Sequence, residues 1–178
     1  MPPNKQTSPD PLTAALRMLA RRPYSVAELR RALEKKYPDS NAVGQAIARL
    51  RELRYLDDKN FAQHYASSLA RNRAYGRQRI RRQLKAKLVD YRQIEPALDQ
   101  AFEETSEHDL LEQTLAKKVC TLRLPLTPAK LASLCQSLMR RGFRASDIFK
   151  AVRAHPELKP VADEEINLVE EESPENSE

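Results

Sequence analysis

Residues 75–88 read YGRQRIRRQLKAKL. Ile80, Leu84 and Leu88 recur at every fourth position, which places them on one face of an α-helix. At about 100° per residue, Arg79, Arg81, Arg82 and Lys85 fan over the opposite side, and Lys87 flanks the apolar stripe. Arg77 sits in the first turn. The stretch reads as a helix over 77–88 that starts after Tyr75-Gly76. Ile80, Leu84 and Leu88 face a core, and no acid inside the helix neutralises the cationic side.

The apolar pattern runs on to Ile94 and Leu98, giving intervals of 4, 10 and 4. Leu29, Leu33, Val43 and Ile47 have the same intervals, and so do Leu134, Leu138, Ile148 and Val152. The copies lie 51 and 54 residues apart, and all twelve positions are aliphatic. A shared period of this kind marks tandem units. Helix-start signals fall in step with it. Asp10 precedes Pro11 as an N-cap, and Ser25 with Glu28 makes a capping box. Tyr24 can staple onto Leu29, and Leu56 onto Phe61 beyond the cap Asp57. Tyr75, Gly76 and Ile80 repeat Tyr24, Ser25 and Leu29, and Leu126, Thr127 and Leu131 do so again. Asp39, Asp90 and Ser106 read as further caps.

Helices are therefore expected at 11–21, 25–36 and 40–54, at 58–73, 77–88 and 91–104, and at 107–121, 128–141 and 145–154. The fold expected is all-α, an elongated curved array of three tandem three-helix repeats with about nine helices. Residues 1–9 read as a disordered N-terminus, 10–56 as repeat 1, 57–105 as the basic repeat 2, 106–155 as repeat 3, and 156–178 as a disordered acidic tail.

Composition agrees. The 178 residues include no Trp and only three Gly, too few for the turns of an all-β chain, and good helix formers dominate. The opening MPPNKQTSPDP lacks the apolar core of a secretory signal, and no apolar run approaches the roughly 20 residues that span a bilayer. Cys120 and Cys135 show neither CxxC spacing nor a paired His, which fits a reduced, cytoplasmic protein away from membranes.

Nothing assembles a catalytic set. His64, His108 and His155 are far apart in sequence and are expected in different units, none at metal-ligand spacing. Gly44, Gly76 and Gly142 are isolated, so there is no phosphate-binding loop. The Asp57-Asp58 pair is explained by capping and by the positive end of a helix. The expectation is a protein that is not an enzyme, with no metal and no cofactor.

Charge is uneven. Eight acids and no base follow Lys159, so the formal charge of +6 becomes +14 once those eight are set aside. A basic body with an acidic tail suggests a polyanionic partner. From Arg71 to Arg92 there are nine cations and one acid, Asp90. Solvated helices usually alternate signs and gain i,i+4 pairing. Here the like charges repel unless a partner offsets them. Tyr75 could stack on a base, but its staple position reads first as core packing.

The stretch LDDKNFAQHYASSLARNRAYGRQRIRRQLKAKLVD, residues 56–90, resembles the central motif of the RecX family. Its marks are Leu-Asp-Asp before an aromatic-led helix, the arginine-rich end of that helix, Tyr-Gly before Arg-x-x-Ile, and the turn at Val89-Asp90. Residues 15–40, ALRMLARRPYSVAELRRALEKKYPDS, resemble the family's first repeat. Two features depart from the pattern. Lys36-Tyr37 and Lys87-Leu88 stand where the family usually has Lys-Gly, and the acidic tail is not part of it. The resemblance implies a monomeric, non-catalytic regulator of the RecA recombinase, built from three-helix repeats, that lies in the groove of the RecA–single-stranded-DNA filament and inhibits it. Partner contacts are expected at Arg71, Arg73, Arg77, Arg79, Arg81, Arg82, Lys85 and Lys87, with Arg30 and Arg31 on the equivalent helix of repeat 1. Asp57, Asp58, Phe61, Tyr75, Gly76 and Ile80 form the structural motif. Two rival readings remain. One is direct binding of single- or double-stranded DNA without a recombinase. The other is an adaptor for another acidic protein.

Overall fold

The structure, a computed structural model, describes residues 10–158. Residues 1–9 and 159–178, most of the segments read as disordered, lie outside the described residues. Among the described residues there are nine α-helices and no strand. They are α1 (Pro11–Leu19), α2 (Val26–Glu34), α3 (Ser40–Glu52), α4 (Asp58–Arg73), α5 (Arg77–Ala86), α6 (Tyr91–Glu104), α7 (Glu107–Val119), α8 (Pro128–Arg140) and α9 (Ala145–Ala154). A 3-10 turn at Pro156–Leu158 follows, and Leu158 is buried. The folded chain thus runs past the expected start of the tail at 156.

The caps form where the sequence places them. Asp10, Asp39 and Asp57 accept from backbone N–H groups two or three residues on, at 2.8–3.2 Å. Ser25, Ser106 and Thr127 do the same with their hydroxyls, at 3.0–3.3 Å. Each satisfies donors that the first helical turn leaves unpaired. Of the twelve repeat positions, eleven are buried and only Val152 is half-buried. Each such Leu or Ile contributes roughly 1.5–3 kcal/mol by leaving water. The offset grows from 51 to 54 because α8 has 13 residues where α5 has 10.

Leu88 is a correction. It was expected on the core stripe, but α5 ends at Ala86 and Leu88 is 39% exposed at φ +57°. The chain leaves the helix through a left-handed residue. Leu88 N–H donates to the Lys85 carbonyl at 2.9 Å and Val89 N–H to the Leu84 carbonyl at 3.2 Å, so Val89 takes the buried seat. Gly142, 54 residues on, holds the equivalent turn at φ +94° with buried Phe143 after it. The Lys87-Leu88 departure therefore keeps the glycine geometry without the glycine.

The chain packs as two compact units, and the division falls inside α4, α5 and α6. The first comprises residues 10–68 and Arg81–Ala101. Its core joins Ala15, Leu29, Leu33, Val43, Ile47, Leu50 and Leu56. Leu84, Ile94 and Leu98 are buried in the same unit. The second comprises Leu69–Ile80 and residues 102–158, where α7, α8 and α9 pack on one another.

Candidate partner-binding face and the joints behind it

Each unit is built around one joint between the start of one helix and the end of another. In the first unit, Ser25 is fully buried at the start of α2. Its hydroxyl accepts from Glu28 N–H at 3.0 Å and donates to the Lys87 carbonyl just past α5. Val26 N–H donates to Asp58 Oδ1 at 2.8 Å, so the first residue of α4 caps α2. Burial pushes the Asp58 carboxyl above its ordinary value, against the opposing Val26 bond and the Arg51 charge. The Glu28 carboxylate takes Arg22 in a two-pronged pair at 3.0 and 3.1 Å and Lys87 Nζ at 3.0 Å. Burial pushes its carboxyl up, but those two cations outweigh it and hold the group below the usual range.

The second unit repeats the plan with other atoms. Gly76 N–H donates to the Arg141 carbonyl at 2.8 Å, and Gln78 N–H to the Gly142 carbonyl at 3.2 Å. Arg77 N–H donates to Glu107 Oε1 at 2.7 Å, so the first residue of α7 caps α5. Two guanidinium groups also bond helix-end carbonyls, Arg79 to Arg140 at 2.9 Å and Arg141 to Arg73 at 3.0 Å. A Cβ on Gly76 would stand 2.6 Å from Gly142 backbone, and one on Gly142 2.3 Å from Arg79 N. Both positions are closed to any side chain.

These joints occupy many of the cations expected to meet a partner. In the first unit Arg81 grips Glu95 of α6 at 2.7 and 2.8 Å, and Lys87 holds Glu28. In the second, Arg79 bonds a carbonyl and lies 4.0 Å over the Tyr75 ring. Arg77 sits 5.4 Å from the Phe102 ring, and Arg71 lies 3.9 Å from Glu104. Tyr75 is half-buried under Arg79. The acid missing from α5 itself is thus supplied by α6. In the first unit, the side chains of Arg30, Arg31, Arg82 and Lys85 are exposed and have no ion-pair or hydrogen-bond partner among the described residues. In the second unit the same holds for Arg73. Arg31 and Arg82 are equivalent, each two residues beyond a fully buried aliphatic, Leu29 or Ile80.

Comparison with known proteins gives the family. A family model described as RecX, first three-helix domain, matches residues 12–50, and one described as RecX, second three-helix domain, matches 57–98. The chain is 36% identical over 143 residues to the Regulatory protein RecX of Chlorobaculum tepidum, covering 80% of this chain and 86% of that one. The chain belongs to the RecX family. It is also 34% identical over 149 residues to the Regulatory protein RecX of Cronobacter sakazakii, covering 77% of this chain and 87% of that one. The fold matches the crystal structure of RecX from Lactobacillus salivarius with a TM-score of 0.66 at 22% identity, over 81% of this chain and 93% of that one.

RecX relatives carry the name of regulatory proteins. Among the described residues of this RecX-family chain, no group of three or more His, Cys, Asp or Glu could hold a metal ion. No helix among them is long and apolar enough to cross a membrane. The expectation that the histidines lie in different units needs correction, since His108 and His155 both fall within 106–155. His108 and His155 both belong to the second unit and approach the same carboxylate, Glu112, at 3.9 and 3.2 Å. His155 also pairs with Glu157 at 2.8 Å, and these two carboxylates raise its pKa, Glu157 more than Glu112. Sequence reading missed Glu28 and Glu95 as acids that pair with the basic face, and Glu107 as the side chain that caps α5. One signal for Glu107 was available. Asp58 and Glu107 each follow an N-cap, Asp57 and Ser106, at the same step of the repeat.

Proposed function

We propose that this RecX-family chain is an inhibitory modulator of the RecA recombinase in DNA repair and the SOS response. It acts in the cytoplasm, binds in the groove of the RecA–single-stranded-DNA filament, and limits filament extension, ATP hydrolysis and strand exchange. It contributes no catalytic group. The carrying observation is the set of exposed cations on α2 and α5 with no partner in the fold, Arg30, Arg31, Arg82 and Lys85. Four like charges left unpaired cost stability in isolation and gain it only against an anionic surface. Acidic recombinase surface or DNA phosphates exposed in the groove supply such a surface. Arg77, Arg79, Arg81 and Lys87 hold the joints or neighbouring acids and act by positioning.

The test is recombinase ATPase on single-stranded DNA with added protein. Wild type is expected to inhibit. Arg82→Glu with Lys85→Glu should raise the concentration needed for half-inhibition by about 10-fold or more at low salt, and Arg30→Glu with Arg31→Glu by a similar factor. Unchanged inhibition by both pairs would overturn the assignment. Binding to bare DNA as tight as to the filament, falling by about 0.9 in log–log slope per duplex phosphate contacted, would favour direct nucleic-acid binding instead.

A further inference from the structure

A cleft of about 340 Å³ opens in the first unit between the end of α1 and the start of α4. Its walls are Leu19, Tyr24, Phe61 and Tyr65, with Tyr55 and Arg54 also lining it. Four aromatic rings thus line one cavity in a chain whose composition is only 6% aromatic. Phe61 and Tyr65 are already stacked on each other, 5.5 Å apart and 13° from parallel. Arg22 covers Tyr24 at 3.6 Å and fixes that ring. Tyr55 differs from the others. It is 62% exposed, and no ring stacks on it among the described residues.

A second cleft shares Arg54, Asp57 and Asn60 with the first and is further lined by Arg51 and Lys59. Its lining also holds three acids, Glu52, Asp57 and Asp58, which keep their charge but are held by bonds within the fold. Asp57 caps α4, Asp58 caps α2, and Glu52 pairs with Arg49 at 3.1 Å. Arg54 and Lys59 are exposed and hold no ion pair among the described residues. Arg54 stands at φ +58°, a conformation that an arginine adopts only at a cost. An aromatic-walled cavity that opens directly onto unpaired cations has the chemistry of single-strand recognition, with a ring for the base and charge for the phosphate.

We infer that the Tyr55 cleft binds one unpaired base of single-stranded DNA, with the adjoining phosphate on Arg54 and Lys59. An apolar side chain of a protein would fill the same volume, but it would leave the adjoining cations unmatched. The choice of DNA rather than RNA rests on the filament reading above; the base-and-phosphate chemistry does not. None of the cations carrying the proposed inhibition lines this cleft.

The experiment uses the full chain without recombinase and reads the anisotropy of a labelled oligothymidine, a labelled abasic strand of equal length and charge, and a ribo-oligomer of matching sequence. Wild type should bind the oligothymidine about 10-fold more tightly than the abasic strand. Tyr55→Ala should abolish that ratio while leaving abasic binding unchanged, and Tyr55→Phe should restore it. Arg54→Gly suits the left-handed backbone and should weaken both strands alike. Equal binding of the thymine and abasic strands by wild type, or a ratio untouched by Tyr55→Ala, would overturn the site. Tighter binding of the ribo-oligomer would overturn the choice of DNA. Because this readout lacks recombinase, it stands or falls separately from the ATPase result.

Discussion

The two joints solve one packing problem with opposite chemistry. In each, the N-terminus of a repeat's second helix receives the C-terminal end of the next repeat's second helix. At Ser25 a buried hydroxyl makes the connection to the Lys87 carbonyl. At Gly76 the side chain is absent and the backbone N–H itself reaches the Arg141 carbonyl. The left-handed residue that ends the incoming helix is Leu88 in the first joint and Gly142 in the second. Glu28 holds Lys87 in the first, whereas Arg79, at the matching position, bonds the Arg140 carbonyl in the second. The closer backbone approach dictates glycine, and the looser one admits side chains that add bonds of their own.

That contrast can be broken most sharply at the glycines. Gly142→Ala forces a Cβ onto Arg79 backbone at a left-handed residue and should destabilise by roughly 3 kcal/mol or more in urea unfolding. Gly76→Ala meets Gly142 backbone and should act alike. A loss below about 1 kcal/mol at both would show that the second joint opens cheaply. Ser25→Ala comes next. It removes the cap of α2 and leaves the part-buried Lys87 carbonyl without its partner, which should cost about 1–2 kcal/mol by the same measurement. Leu88→Gly should run the other way. It relieves a strained leucine at the position where the second joint already has glycine, so stability should change by between nothing and a gain of about 1 kcal/mol. A clear loss would mean that the part-exposed Leu88 side chain holds the turn.

The smallest effect expected is with pH, and it has opposite signs in the two units. Glu28 is held below its ordinary value of 4.5, so its stabilising contribution is present above that value and lost as pH falls further, through the lowered folded value. His155 is raised above its ordinary value of 6.5, so its contribution is complete below 6.5 and lost as pH rises through the higher folded value. Amide exchange should show the α2–α5 joint loosening in acid. It should also show the α7 contact with His155 loosening toward alkaline pH. Glu112→Gln should reduce the second trend and leave the first untouched.

Most of the fold was legible because each element depends on residues close in the chain. Asp10, Asp39 and Asp57 act on N–H groups two or three residues away, and the aliphatic spacing repeats three times. Period four continues through the helix end and puts Leu88 on the core stripe, whereas the backbone leaves the helix at Ala86. The candidate site was less legible. Arg81 and Glu95 are separated by 14 residues, and Lys87 and Glu28 by 59. Local charge patterning shows only that α5 has no acid of its own. It does not show which helix brings one.

Among the described residues, the nine helices, their caps and the repeat follow from periodicity and from hydrogen bonds that span a single turn, so the sequence alone sets them. Only the tertiary structure decided which cations remain unpaired and why Gly76 and Gly142 must be glycine. Those outcomes depend on helix ends from different repeats meeting within hydrogen-bond distance, and no local pattern of residue types encodes that distance.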